Sequence, residues 1–256
     1  MEATSAFQAA IGQGETTERE LIIENLRRGD DYRQVPGKYW DDREIVMAAV
    51  QNSAHALALA SAELKNDRAI VTAAIKNHVV GLKYASEELR NDHAFVLAAA
   101  KKSYSALEYV PAELKNNRDF MVAAVQQDAD AFYYASPELK NDRELATLAI
   151  QKSKWGFSYT SEEIRNDCDM VLMAVKLYPN ALYNAGDKPR NNREIVLTAI
   201  RQSAEALQYA SEELKDDYDI VMAAIEQNAA QALRWASDRL RGDRDLVQAA
   251  VWKDPH

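Results

Sequence analysis

Apolar and polar positions along the chain fall into two short patterns that keep returning. In residues 43–52 the apolar Ile45, Val46, Ala49 and Val50 stand at i, i+1, i+4 and i+5, one broad face of an α-helix. Residues 54–60, read at 100° per residue, gather positions 56, 57, 59 and 60 into one arc. This predicts a second short helix that buries those four columns. A Ser-Glu-Glu-Leu stretch, as at Ser86 to Leu89, then caps a further helical turn. In Asn141-Asp142-Arg143-Glu144, the asparagine is placed to cap the next long helix, with Glu144 closing a capping box.

The two patterns are one repeat. Leu64-Lys65-Asn66-Asp67 returns as Leu89-Arg90-Asn91-Asp92, Leu114-Lys115-Asn116-Asn117, Leu139-Lys140-Asn141-Asp142, Ile164-Arg165-Asn166-Asp167, Pro189-Arg190-Asn191-Asn192 and Leu214-Lys215-Asp216-Asp217, each 25 residues on. Leu240-Arg241-Gly242-Asp243 follows after 26, the extra residue falling near Ala229 or Ala230. Counted from Asp41 there are eight full units and a truncated ninth. Position 49 is alanine in every copy, from Ala49 through Ala74, Ala149 and Ala224 to Ala250, which predicts helices approaching too closely for a larger side chain. Position 59 carries a ladder of Tyr84, Tyr109, Tyr134, Tyr159, Tyr209 and Trp235, expected in the core. Helices this short are marginal alone, so stacking on neighbours must hold them. The expected fold is all-α, an α-solenoid of helix pairs.

Units reading D-R-E-I-V-x-A-A-V and then A-L-x-Y-A-S-E-E-L-K-N-D resemble the tandem repeats known as domain of unknown function 4116, over about residues 41 to 252. The resemblance implies a helical repeat without an assigned activity, sometimes met in effector-like proteins of intracellular bacteria. It supplies no catalytic residues to carry over.

Residues 1–40 read as a disordered start, over 1–14, followed by a capping helix. Thr17 to Glu20 forms a capping-box pattern that opens an amphipathic stretch with Leu21, Ile22 and Leu26, and Pro36-Gly37 turns the chain into the solenoid of 41–256. One unit departs from the pattern within 166–190: Tyr178-Pro179-Asn180 and Gly186-Asp187-Lys188-Pro189 replace the usual residues, and Asn184 replaces the ladder tyrosine. A hinge and a contact loop both fit.

Composition narrows the function. Eight glycines and six prolines in 256 residues leave few helix breakers. The single Cys168 excludes a disulfide framework and a thiolate zinc site, which points to the cytoplasm of the producer or of a host. There is no signal-peptide pattern and no apolar run of about 18 residues, so no membrane association is expected. His55, His78, His93 and His256 share no ligand spacing, and there is neither a phosphate loop nor a nucleophile elbow. No catalytic residue, metal or cofactor is therefore expected. The net charge of −9 disfavours nucleic acid. A basic column from Lys65 and Arg90 to Lys215 and Arg241 runs beside an acidic column from Glu63 and Glu88 to Glu213, which predicts ion pairs between repeats.

The arithmetic that buries columns 56, 57, 59 and 60 turns columns 54, 55 and 58 outward. Four consecutive central units place Tyr104, Tyr133, Trp155 and Tyr183 there, edged by Glu108, Asp130 and Lys154. Exposed tyrosine and tryptophan are enriched at binding hot spots. The expected function is a non-catalytic scaffold binding another protein, plausibly a basic one, on this surface. The alternatives are an inhibitor, such as an immunity protein or effector that occludes its target, and, less favoured, an RNA-binding helical repeat.

Overall fold

The computed structural model describes residues 17–253, so the disordered start expected over 1–14 concerns residues outside that range. Every element among the described residues is helical, and the architecture is an α-solenoid of tandem repeats. Contacts divide the chain into two compact units, one ending at Ala124 and the other beginning at Val125.

One period contains three helical pieces rather than two. In the first unit these are Arg43–Asn52, a 3-10 helix Ala54–Leu59 and the short α-helix Ala62–Lys65. The long helix is capped by Asp42, whose carboxylate accepts from the Glu44 and Ile45 amides. Asp67, Asp92, Asp142, Asp167, Asn192 and Asp217 do the same for later repeats. This corrects the expected cap: Asp142 rather than Asn141 begins the helix, and Asn141 closes the preceding short helix. Ser61 then caps the short helix by accepting from the Leu64 amide. The capping box expected at Thr17 and Glu20 is present, opening Glu18–Arg28. That helix starts 25 residues before Arg43 and packs on Arg43–Asn52, so the terminal helix keeps the repeat register.

The middle segment is wound more tightly than the α-helix that the sequence predicts. It is a 3-10 helix at Ala54–Leu59, Tyr104–Tyr109, Ala129–Tyr134, Gly156–Tyr159, Pro179–Asn184 and Ala204–Tyr209. Three residues per turn give 120° steps, so columns 54, 57 and 60 share one face, 56 and 59 the next, and 55 and 58 the third. Burial follows this division. Ala54, Ala56, Leu57 and Ala60 are buried, while His55 and Ala58 are exposed. The ladder column is therefore half-buried at Tyr84, Tyr109, Tyr134, Tyr159 and Tyr209 rather than in the core, and Leu59 is 48% exposed. Two units form an α-helix instead: Gly81–Tyr84, and, in the unit with one extra residue, Ala229–Trp235.

Alanine at position 49 is buried in every copy, from Ala49 to Ala250. The reason is the close approach of the middle segment. A Cβ built on Gly156 would sit 2.3 Å from the carbonyl oxygen of Ala149, and one on Gly81 would sit 2.8 Å from the Ala74 Cβ.

Two contacts join successive repeats. At the short helices opened by serine, the backbone N–H donates to the carbonyl closing the previous one: Ser86 to Lys65 at 2.9 Å, Ser161 to Lys140 at 3.0 Å, Ser211 to Arg190 at 3.0 Å; Pro111, which opens Ala112–Lys115, has no N–H to donate. Gly186 keeps this bond, to Arg165 at 2.8 Å, and the departing unit retains all three helical pieces. The second contact is an arginine clasp. Arg43 Nε donates to the cap carboxylate of Asp67 at 2.8 Å, and Arg68–Asp92, Arg143–Asp167 and Arg193–Asp217 repeat it. These replace the ion pairs expected between the basic and acidic columns. Where the arginine is lost, at His93 and Cys168, the cap in register is neutral, Asn117 and Asn192, with Asn192 Nδ2 lying 3.9 Å from Cys168 Sγ. Both charges vanish together, which leaves neither one unpaired. Tyr218, in register with Asp243, departs from this rule.

Candidate functional site

The outward side of the middle segment carries the candidate surface. In the unit beginning at Val125, Tyr133 is 51% exposed, Trp155 52% and Tyr183 60%. Tyr133 and Tyr183 occupy column 58 and Trp155 column 55, the columns that 3-10 winding turns to solvent. The middle segments that bear them pack against one another in sequence order.

Two of the exposed rings, Tyr133 and Tyr183, lean on ladder tyrosines. Tyr133 meets Tyr134 edge-on at 4.9 Å and Tyr159 of the next repeat at 5.3 Å, and Tyr183 meets Tyr209 in the same way at 5.3 Å. Such pairs fix ring orientation and contribute about 0.5–1.5 kcal/mol beyond area burial. The ladder tyrosines thus belong to this surface as its supports. The sequence reading missed them because 100° steps assign column 59 to the core. Burial, with Glu205 and Tyr183 nearby, pushes the Tyr209 phenol above its ordinary value.

The flanking residues divide. Lys154 is exposed, with Nζ 5.1 Å from the centre of the Trp155 ring. Asp130 is half-buried and accepts from Ser153 Oγ at 2.8 Å, so this carboxylate braces the next repeat instead of edging a site. Tyr104 and Glu108 belong to the other compact unit. Tyr104 stands in column 54, which is buried at Ala54 and Ala204 though exposed at Lys154, and is half-buried, which corrects its expected exposure. Glu108 is exposed, while its carbonyl accepts from Lys115 Nζ at 3.0 Å.

That last bond exemplifies how the basic column is used. Lys140 Nζ lies 5.4 Å from the Tyr133 ring centre, Arg165 donates to the Thr160 carbonyl, and Arg190 donates to the Tyr183 carbonyl. Lys215 and Arg241 pair with Glu212 and Asp238 of their own short helices. Burial pushes the Lys115 and Lys140 ammonium groups below their ordinary values, with Glu108 opposing this at Lys115. Lys140, Arg165 and Arg190 fold back onto the backbone and rings of their own unit, whereas Glu138, Glu162 and Glu163 are exposed.

Among the described residues no group of three or more His, Cys, Asp or Glu side chains could hold a metal ion, and no helix is long and apolar enough to cross a membrane.

The profile of the family described as domain of unknown function 4116 matches residues 19–65, 42–90, 67–115, 92–140, 142–190 and 192–241. Each match spans two adjacent 25-residue repeats, and the first begins inside the terminal helix Glu18–Arg28, earlier than the resemblance from residue 41 suggests. Comparison with curated proteins and with solved structures returned no match. Six matches that tile residues 19–241 in the register of the structural repeat show that the chain belongs to the DUF4116 family.

Proposed function

We propose that this chain is a non-catalytic scaffold that binds a partner protein through the outward face of its middle segments in the unit beginning at Val125. The observation that carries the reading is the exposure of Tyr133, Trp155 and Tyr183, each more than half open to solvent on rigid, mutually supported segments. Aromatic side chains bury large area at low entropic cost, and an apolar patch of this kind on a folded surface marks an interface. The inward turn of Lys140, Arg165 and Arg190 supports a protein partner over an RNA backbone, because phosphate binding needs cations displayed outward.

The test is to replace Tyr133 and Trp155 together with alanine, check the fold by circular dichroism and melting, and quantify co-purifying proteins by mass spectrometry. Selective loss of interactors from the folded variant is the expected result. An unchanged set of interactors would overturn the reading.

A further inference from the structure

We infer that the partner presents an extended, arginine- and lysine-bearing segment to this face. The inference rests on the partner-binding reading above and names the chemistry of what binds. Four observations converge on it. The exposed rings of Tyr133, Trp155 and Tyr183 are of the kind on which guanidinium and ammonium groups stack. Two of the protein's own cations already use those rings in this way, Lys140 at Tyr133 and Lys154 at Trp155.

The third observation is charge. The short helices that follow the aromatic segments expose Glu138, Glu162 and Glu163. Glu138 and Glu163 line one surface notch with Lys140, whose half-buried ammonium lies against Tyr133, so this notch adjoins the aromatic surface. The local cations are Lys140 and Arg165, both folded inward, and Lys154 over Trp155. Arg165 lies near Glu163 and Lys140 shares the notch, and the exposed carboxylates remain open to charges from outside. A basic segment complements them and meets the rings with the same side chains.

The fourth is the repeat itself. Stacked helices lie about 8–10 Å apart, and an extended chain rises about 3.3 Å per residue. A strand-like segment running along the stack therefore offers about three residues to each repeat. About six residues would reach from the Tyr133 repeat to the Tyr183 repeat, two spacings away, and about nine would cover all three repeats.

The experiment is to pan a displayed library of random dodecapeptides on the full chain, with counter-selection on the Trp155→Ala/Tyr183→Ala variant. Recovered peptides are then synthesised and titrated. The expected peptides are rich in arginine and lysine, bind at least about tenfold more weakly to the aromatic variant, and weaken further with added salt and with Glu138→Gln/Glu162→Gln/Glu163→Gln. If the double variant melts early, Tyr183→Ser replaces it. Neutral or acidic peptides that still depend on Trp155 and Tyr183 would overturn the basic partner and leave the docking face standing. Peptides indifferent to the aromatic variant, or no enrichment at all, would overturn both.

Discussion

The repeats at 42–91 and those at 117–191 have nearly the same backbone and different surfaces. Both use a long helix capped by an aspartate or asparagine, a tight middle turn and a short helix opened by serine or glycine. Both bury the same columns, with Leu57 and Leu82 in one region matched by Phe132, Phe157 and Leu182 in the other. The outward columns diverge. The first region carries His55, Ala58, Val80 and Lys83, and the second carries Tyr133, Trp155, Ser158, Asn180 and Tyr183, besides Asp130, which braces the next repeat. Inward columns therefore hold the fold while outward columns are free to specialise, since stacking constrains only what faces a neighbour.

If this division is right, the largest effects come from inward columns, and equally in both regions. Leu57→Ala and Phe132→Ala should each cost about 2–5 kcal/mol, the range for large core truncations, read as loss of unfolding free energy in urea. A near-neutral result at either site would break the comparison. Ala149→Leu belongs to the same class. The added side chain has to fit where Gly156 comes against the backbone, and overpacking of this kind costs about 1–3 kcal/mol; an unchanged melting temperature would show that the alanine column is not a close-contact seam.

Outward columns should behave in the opposite way. Placing the second region's residues in the first, as His55→Trp with Ala58→Tyr, should change stability by no more than about 0.5 kcal/mol, as surface substitutions do. Differential scanning calorimetry would measure it, and a marked loss would mean that the exposed columns also carry the fold.

The clasp gives a similarly small effect and a pH signature. The Arg43 guanidinium holds the Asp67 carboxyl below its ordinary value; at Asp92 the Phe95 amide leads and Arg68 adds to it. A carboxyl with a folded value below its unfolded one contributes stability that is present above the unfolded value, near pH 4, and is lost as pH falls through the folded value. Urea unfolding should thus weaken on acidification below about pH 4. Arg43→Gln should cost about 0–1 kcal/mol at neutral pH, since the pair is largely exposed, and should blunt that acid dependence. An unaltered pH profile would show that the clasp does not set it. The seam between Cys168 and Asn192 contains no such pair, so Cys168→Ala should leave the profile unchanged.

The sequence by itself determined the period, the helical class, the buried columns 56, 57 and 60 and the alanine seam. These features follow from local spacing and side-chain size, and each is stated many times over. The winding of the middle segment was decided only in the folded chain. Over six residues, 100° and 120° steps bury nearly the same positions, and they differ mainly at columns 54 and 59, which is where Tyr104 and the ladder tyrosines were misplaced. Tertiary structure also chose the charge partners. Arg43 and Asp67 stand 24 residues apart, and only stacking brings the end of one repeat's cap beside the start of the next. Lys140 is a local case by contrast: its ammonium lies against Tyr133, seven residues earlier in the same repeat.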